Sequence, residues 1–277
     1  MNFLNKCGIS KCNDNALEQD FINYKNANID FMEIRASDYA TENVDKLIEY
    51  QNKYGVKINS VHLPFSKHID ISNPNPEISN ETVKLHSYYI EKLHKLAKIF
   101  VLHPSAEPIA NEDRKLYLDT AIKNIKKLAD VSEKYGVTLA VENLPRTCLG
   151  SKIDEFNRLI SCDNRLRVCF DVNHLLYDLH ADFISNFGDK IITTHISDYD
   201  FIDERHLLPG EGKIDWKELF KNFQKVNYTG PILFELEPYS TIRVNRPVNL
   251  TMENFRSVYE AIVTLSDIPV YPHELLF

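Results

Sequence analysis

Short apolar runs alternate with longer amphipathic stretches along this chain, and that alternation predicts strands separated by helices. The first run covers residues 7–10, and a stretch with apolar positions at helical spacing follows at residues 16–26. Seven further runs lie at residues 31–34, 56–63, 99–103, 137–142, 166–171, 191–195 and 232–235. The clearest later helices are predicted at residues 44–54, 81–98, 114–135 and 252–265.

Strands that alternate with helices pair in parallel, because each helical crossover returns the chain to the same end of the sheet. Eight such units close into a barrel more naturally than into an open sheet, and no Gly-x-Gly-x-x-Gly motif follows the first strand. Gly55 and Gly136 stand in Tyr-Gly-Val steps that are typical of a helix end feeding a strand. We therefore predict an α/β protein, a single (β/α)8 TIM barrel that occupies residues 1–277 as one domain.

Carboxylates and imidazoles follow several of the predicted strands at the point where each strand ends. Val-Glu-Asn-Leu-Pro places Glu142 there, and Cys-Phe-Asp-Val-Asn-His places Asp171 and His174. Two later runs end at His195 and at Glu235. In a (β/α)8 barrel the carboxyl ends of the strands surround the one concave face that core side chains do not fill. These side chains are therefore expected to meet at one site.

Three carboxylates and one imidazole form a ligand set that suits a hard or borderline divalent ion, such as Mn²⁺, Co²⁺, Mg²⁺ or Zn²⁺. The alternative is that each carboxylate is buried in a pair with Lys or Arg. Burying several carboxylates without partners is costly, which disfavours an accidental cluster. We predict that Glu142, Asp171, His195 and Glu235 bind a metal ion.

Five of the ten histidines lie at or just after a predicted strand end, namely His62, His103, His174, His195 and His206. The sequence leaves three roles open for His62, His103 and His174: ligands of additional metal ions, hydrogen-bond partners of substrate hydroxyls, or polar caps of the barrel. The other five, which are His68, His86, His94, His180 and His273, fall in predicted loops or helices. We expect those five to be structural or solvated.

Two arginines, Arg146 and Arg35, are candidates for binding an anionic or polyol group of a substrate, because a guanidinium offers several donors in one plane. Arg146 lies four residues after Glu142, and Arg35 follows the second predicted strand. Arg205 precedes the segment Leu-Leu-Pro-Gly-Glu-Gly at residues 207–212, whose glycines would allow a tight turn against a ligand. Surface salt bridges and a plain loop are the alternatives.

Composition limits the class of protein and its partners. The hydrophobic content of 43% and the charged content of 26% are ordinary for a globular protein without a membrane span. A formal net charge of −8 makes nucleic acid an unfavourable partner. Five cysteines without a Cys-x-x-Cys pair, and a start without an apolar leader, predict reduced thiols and a cytoplasmic location. A homo-oligomer is left open.

From about residue 7 to residue 265 the chain resembles the xylose-isomerase-like barrel superfamily, which includes sugar isomerases, ketose 3-epimerases, inosose dehydratases and the endonuclease IV family. The motifs that carry the resemblance are Val-Glu-Asn at Glu142, Phe-Asp-x-x-His at Asp171 and His174, His-x-x-Asp at His195 and Asp198, Pro-Gly-Glu-Gly at residues 209–212, and Glu235. The set is moderately specific, and it implies the same barrel fold.

The resemblance to the epimerases implies that Glu142, Asp171, His195 and Glu235 bind one divalent metal. It also implies that Glu142 and Glu235 act as acid and base at the carbon next to a carbonyl, while the metal polarises that carbonyl and a neighbouring hydroxyl. Substrate contacts would fall on His174 and Arg205. The leading hypothesis is a divalent-metal-dependent sugar or sugar-phosphate isomerase or epimerase. The sequence departs from the ketose 3-epimerases at Cys148, where that family carries a glutamate.

The main alternative is an endonuclease-IV-like phosphodiesterase with three zinc ions. Its ligand positions match at His62, His103, Glu142, Asp171, His174, His195, His206 and Glu235, with Glu204 where that family has aspartate. Three zinc ions would activate water against a phosphodiester. The net charge and the lack of a basic, aromatic-interleaved loop argue against a duplex substrate. A non-catalytic sugar-binding barrel is a third hypothesis.

Overall fold

The computed structural model describes residues 5–11 and 14–277, and its central feature is a sheet of eight parallel strands. The strands are β1 (Cys7–Lys11), β2 (Phe31–Arg35), β3 (Lys57–His62), β4 (Ile99–Leu102), β5 (Thr138–Glu142), β6 (Arg167–Asp171), β7 (Ile191–His195) and β8 (Ile232–Phe234). Each strand from β1 to β6 pairs with the next one along the chain, and β8 pairs with β1.

The gap between β7 and β8 is bridged by backbone hydrogen bonds just beyond the end of β7. The Ile196 N–H donates to the Leu233 carbonyl at 2.8 Å, and the Glu235 N–H donates to the Ile196 carbonyl at 3.1 Å. The parallel sheet therefore meets itself, and the predicted (β/α)8 barrel is confirmed.

Helices surround the barrel in the described part of the chain. They are α1 (Glu18–Asn26), α2 (Asp38–Glu42), α3 (Val44–Tyr54), α4 (Pro76–Leu93), α5 (Arg114–Tyr135), α6 (Ile153–Ile160), α7 (His180–Phe187), α8 (Trp216–Lys225) and α9 (Met252–Val263). The fourth helix was predicted at residues 81–98, but it begins and ends earlier. Asn75 explains the early start, because its side chain accepts a hydrogen bond from the Glu77 N–H and Pro76 occupies the first turn.

The two predicted helix-ending glycines adopt the left-handed conformation. Gly55 ends α3 with φ +77°, and Gly136 ends α5 with φ +64°. A residue without Cβ adopts this conformation at little cost, so each helix stops and the chain turns into the next strand.

Apolar side chains hold the helices against the outside of the barrel. Phe170 of β6 stacks on Phe183 of α7 with ring centroids 4.5 Å apart, and Phe156 of α6 packs 5.2 Å from Phe183. A separate small cluster of Val101, Ala140 and Cys169 contains strand residues only. The apolar contacts fix the position of the strands, and therefore of the residues at their ends. None of the helices described combines the length and the apolar character that crossing a membrane requires.

The Pro-Gly-Glu-Gly segment packs against the protein itself, which is the arrangement that the plain-loop alternative describes. The buried Asp198 carboxylate accepts hydrogen bonds from the Gly210 N–H at 2.8 Å, the Ile214 N–H at 3.1 Å and Trp216 Nε1 at 2.9 Å. A Cβ at Gly212 would collide with Asp198 and with the backbone of residue 199. The glycines therefore allow the loop to close around Asp198.

Replacing Asp198 by alanine is expected to destabilise the protein by about 3 kcal/mol or more, because each buried donor left without an acceptor costs roughly 1–3 kcal/mol. Asp215→Ala is the matched control on the same segment, since Asp215 caps α8 through the Glu218 N–H and its loss should cost about 1 kcal/mol. Urea unfolding of both variants measures the difference. A loss in Asp198→Ala no larger than in the control would contradict this role.

Candidate active site

Four residues from four different strand ends meet at the carboxyl end of the barrel. Glu142 and Asp171 are the last residues of β5 and β6, His195 is the last residue of β7, and Glu235 directly follows β8. One ligand atom from each of them lies within 4.8 Å of one from every other. Parallel strands in a closed barrel deliver their ends to one rim, which is why residues far apart in sequence come together here.

Glu142 lies between two sets of histidines. Its Oε2 is 3.3 Å from His62 Nε2 and 3.2 Å from His103 Nε2. Its Oε1 is 3.1 Å from His195 Nδ1 and 3.5 Å from His174 Nδ1. The two oxygens of one buried carboxylate therefore face different imidazoles.

A further group consists of His174, Glu204 and His206, whose ligand atoms also lie within 4.8 Å of one another. His174 Nε2 is 3.2 Å from Glu204 Oε2. The Glu204 carboxylate also lies 3.3 Å from Arg146 and 3.6 Å from Arg243. This group thus has two arginines, Arg146 and Arg243, as cationic neighbours.

The donor set fits a divalent cation, and Asp171 provides the clearest sign. Its side chain is fully buried, yet its Oδ2 accepts no hydrogen bond from the residues described, although His174 Nδ1 is 3.4 Å and His195 Nδ1 is 3.9 Å away. Its other oxygen accepts from the Asn173 N–H at 2.7 Å. A buried carboxylate oxygen without a donor is expensive unless a cation neutralises it.

The electrostatics of the cluster point the same way. Burial opposes the ionisation of Glu142, but the nearby His195 and His103 outweigh it and hold its pKa well below the ordinary value. Burial raises the pKa of Asp171 well above its ordinary value, and repulsion from Glu235 and Glu142 adds to the increase. The imidazoles therefore stabilise some of the carboxylates but not all of them, and a bound divalent cation would stabilise the remainder.

Two neighbours of the cluster were not predicted. Glu33 of β2 is fully buried, and its Oε1 lies 3.0 Å from His195 Nε2. Asn143 holds the end of β6, because its side chain accepts from the Asp171 N–H at 2.9 Å and donates to the Asp171 carbonyl at 2.8 Å. The position of Glu33 inside the run Phe-Met-Glu-Ile-Arg could have indicated a buried functional carboxylate, because an acid is unusual in a buried strand. Asn143 belongs to the Val-Glu-Asn motif, but no role was predicted for its side chain.

A cavity of about 920 Å³ opens above the cluster, and the predicted arginines Arg35, Arg146 and Arg205 line it. Arg146 forms ion pairs with Glu107 and, at 2.8 Å, with Asp203. The other two are held as well, since Arg205 contacts Asp200 at 2.8 Å and Arg35 contacts Asn15 at 3.1 Å. The guanidinium groups at the mouth are thus fixed by polar neighbours, and they present oriented donors to the cavity.

The cavity wall also contains Phe65 and Cys148. The ring of Phe65 is half exposed and stacks on His103 with centroids 3.6 Å apart. Burial raises the pKa of the Cys148 thiol to about 12. The Cys148 thiol in the cavity wall is therefore neutral.

The histidines predicted to be structural lie outside these clusters. His86 Nε2 donates to the Pro64 carbonyl at 2.9 Å, and burial lowers the pKa of His86 to about 4, so the ring is neutral. His180 Nε2 contacts the Val172 carbonyl at 2.7 Å. Among the described cysteines, Cys7, Cys148, Cys162 and Cys169 are free thiols, while Cys12 lies outside the described residues.

The family model described as xylose isomerase-like TIM barrel matches residues 21–259. An uncharacterised protein of Methanocaldococcus jannaschii is 28% identical over 204 residues, which are 70% of this chain and 69% of that protein. A second uncharacterised protein of the same organism is 26% identical over 184 residues, which are 66% of this chain and 72% of that protein.

Several solved structures share the fold. A D-tagatose 3-epimerase-like protein has 25% sequence identity and a TM-score of 0.73, covering 83% of this chain and 89% of that one. D-psicose 3-epimerase from Clostridium cellulolyticum H10 has 20% identity and a TM-score of 0.74, covering 95% of this chain and 92% of that one. A 3-keto-D-glucoside 4-epimerase from E. coli has 17% identity and a TM-score of 0.74, covering 94% and 99%.

Proposed function

Because this chain belongs to the xylose isomerase-like TIM barrel family, we propose that it is a divalent-metal-dependent isomerase or epimerase of a small sugar or sugar phosphate. The observation that carries the proposal is the buried cluster of Glu142, Asp171, His195 and Glu235 at the floor of a large cavity. Sugar epimerases among the similar folds support the class of reaction.

The four residues of the cluster would hold the cation, with Mn²⁺, Co²⁺, Mg²⁺ and Zn²⁺ as the candidates that the ligand set allows. Bound there, the cation would polarise a ketose carbonyl and its neighbouring hydroxyl. The unsatisfied oxygen of Asp171 and the Nδ1 atom of His195 already face the centre of the cluster. The protein therefore presents its ligand atoms before any substrate arrives.

Glu142 and Glu235 are the proposed acid and base at the carbon next to the carbonyl. The two carboxylates approach His195 Nδ1 to 3.1 Å and 3.2 Å. They differ in access, because the Glu142 side chain is 1% exposed and the Glu235 side chain is 21% exposed. Glu235 is therefore the better placed of the two to meet a substrate that enters from the cavity.

His62, His103 and His174 are proposed to face the hydroxyls of the substrate, together with Arg146 and Arg205 at the mouth. Burial opposes the protonation of His174, but Asp171 and the neighbouring glutamates outweigh it and raise its pKa to about 10. A charged His174 would donate to a substrate oxygen. The oriented arginines would bind hydroxyls or a phosphate farther from the reacting carbon.

The test is proton exchange in deuterated water with a panel of ketoses, ketose phosphates and polyols, after the protein has been loaded with Mn²⁺ or Co²⁺. We expect deuterium to appear at the carbon next to the carbonyl of at least one sugar, and NMR detects it there. Exchange with none of the panel at full metal occupancy would refute the proposal.

A trinuclear zinc phosphodiesterase is the second candidate, and specific geometry favours it. Glu142 faces two sets of histidines with its two oxygens, and His174, Glu204 and His206 form a further group. These residues could serve as ligands of additional metal ions. Against it, the net charge of the chain is −8, which disfavours a nucleic acid as substrate.

Elemental analysis separates the two candidates. Close to one manganese or cobalt per chain is the result expected of the isomerase, and close to three zinc ions per chain favours the phosphodiesterase. Glu204→Gln makes the comparison more specific, because Glu204 belongs only to the group with His174 and His206. A drop from three zinc ions to two in this variant would assign a zinc ion to that group.

The wider assignments follow from the same proposal. We propose that residues 1–277 act as one domain on a small-molecule substrate, without nucleic acid as a partner. The free cysteines suit a reducing compartment such as the cytoplasm.

A further inference from the structure

Glu33 is a buried carboxylate that lies inside the barrel, on the far side of His195 from the proposed cation site. It is fully buried, and it belongs to none of the groups whose ligand atoms converge within 4.8 Å. Its Oε1 is 3.0 Å from His195 Nε2. Burying a carboxylate is costly unless hydrogen bonds or a cationic neighbour stabilise it. The contacts of Glu33 therefore indicate what its buried position does.

Two serine hydroxyls from the neighbouring strands hold Glu33 in place. The Ser60 hydroxyl of β3 donates to Glu33 Oε2 at 2.6 Å, and the Ser10 hydroxyl of β1 donates to Glu33 Oε1 at 3.2 Å. The strand register pairs Glu33 with both residues, so the three side chains lie at one level of the barrel. The carboxylate is therefore oriented by the scaffold and is not free to swing towards the cavity.

The ring of His195 has a carboxylate on each side. Nε2 lies 3.0 Å from Glu33 Oε1 but outside hydrogen-bond geometry, while Nδ1 is hydrogen-bonded to Glu142 Oε1 at 3.1 Å and lies 3.2 Å from Glu235 Oε2. A neutral imidazole carries one N–H, and only the nitrogen without a proton can bind a cation. If Nε2 donates its proton to Glu33, the lone pair of Nδ1 points into the cluster. The opposite tautomer would place a proton between His195 and the cation.

Glu142, Glu235 and the Cys169 thiol are also neighbours of His195. Glu142 and Glu235 would themselves bind the cation, so in the loaded site they would not serve as acceptors for a proton on Nδ1, and a thiol is a weak hydrogen-bond partner. A carboxylate is a much stronger acceptor for an imidazole N–H. With Glu142 and Glu235 bound to the cation, Glu33 is the carboxylate that would favour a proton on Nε2.

We propose that Glu33 is a positioning residue that holds His195 in the Nε2–H tautomer and thereby makes Nδ1 a ligand of the divalent cation. This inference rests on the proposed function only in that His195 binds a cation, and it does not depend on which sugar reacts. Residues that orient a histidine ligand in this way typically contribute about 10-fold to 100-fold to metal affinity.

The test compares zinc affinity in four proteins by competition with a chromophoric chelator. Glu33→Met removes the acceptor and should weaken zinc binding about 100-fold, while Glu33→Gln keeps a neutral acceptor and should weaken it about 10-fold. Asp70→Asn is the matched control, since Asp70 is also a buried carboxylate that accepts from a serine hydroxyl, Ser72 at 2.6 Å, and lies outside all three groups. Its affinity should stay within about twofold of the unchanged protein.

The tautomer itself is read by NMR of ¹⁵N-labelled histidine in the zinc-loaded protein. We expect the His195 ring to be protonated at Nε2 in the unchanged protein and to be a mixture of tautomers in Glu33→Met. Ser60→Ala provides a milder change if Glu33→Met does not fold, because it removes only the 2.6 Å hydrogen bond that orients Glu33. It should weaken zinc binding severalfold.

The outcomes separate this inference from the proposed function. Zinc affinity and tautomer that are unchanged in Glu33→Met and Glu33→Gln overturn the role of Glu33 and leave the sugar reaction standing. The role of Glu33 is also overturned if the His195 tautomer changes in Cys169→Ala but does not change in the Glu33 variants. Weaker zinc binding in the Glu33 variants without turnover of any sugar supports the inference and refutes the proposed reaction. An unchanged protein that binds no divalent cation refutes both.

Discussion

Replacing Glu235 by glutamine is expected to slow proton exchange on the sugar by a factor of about 10² to 10⁴, which is the usual contribution of a general base or acid. Glu235 directly follows β8, and its side chain is the more exposed of the two proposed acid–base carboxylates. Glutamine preserves the shape and can still offer an oxygen to the cation, but it cannot accept the proton. The fold should be intact, because the backbone bonds to Ile196 are unaffected.

The measurement is deuterium incorporation into the sugar at saturating metal, so that any weaker metal binding is separated from the lost base. Glu237→Gln is the matched control, since it makes the same change two residues farther along and lies outside the three converging groups. It should change the exchange rate less than about threefold. Exchange in Glu235→Gln at the rate of the control would remove Glu235 from the acid–base role.

Removing the divalent metal should abolish activity and also lower the melting temperature. Glu142, Asp171 and Glu235 bring their carboxylates within 4.8 Å of one another in a buried site, and without a cation these groups repel and Asp171 Oδ2 stays without a hydrogen-bond donor. A ligand at 100 times its dissociation constant stabilises the folded state by about 2.7 kcal/mol. For a chain of this length that corresponds to a shift in melting temperature of roughly 5–10 °C.

Thermal unfolding with excess manganese and after exhaustive chelation measures this shift, and restoring the metal should restore both stability and activity. Asp171→Asn is the internal comparison, because it weakens the site without removing a large side chain. Its melting temperature should depend much less on manganese. Sugar binding that survives chelation, together with an unchanged melting temperature, would favour a barrel that binds sugar without catalysing its conversion.

The barrel could be predicted from the sequence because its causes are local and repeated. Each apolar run is long enough for one buried strand, and glycines such as Gly55 and Gly136 end helices where the chain must turn. The early start of α4 was missed because a cap at Asn75 and a proline in the first turn outweighed the apolar pattern that begins later. Boundaries depend on single hydrogen bonds, whereas the alternation depends on many residues.

The proposed ligands could be named from the sequence for a geometric reason. In a closed parallel barrel all strands end at the same rim, so Glu142, Asp171, His195 and Glu235 were expected to converge once the barrel was assumed. The histidines at neighbouring ends follow the same rule, and the structure places His62 and His103 against Glu142. Their roles as metal ligands or substrate contacts stay predictions.

Only the tertiary structure decided which charged side chains contact each other and which atoms of each side chain make the contact. The pairing of Arg146 with Asp203 and Glu204, the closure of the glycine loop on Asp198, and the contact of Glu33 with His195 all join residues from different βα units. Such contacts depend on strand register and on the rotamer of each side chain, and the local pattern of apolar and polar residues carries no information about either. The sequence alone therefore determined the barrel and the rim where chemistry would lie, while the packing of distant strands determined the hydrogen bonds that orient the site.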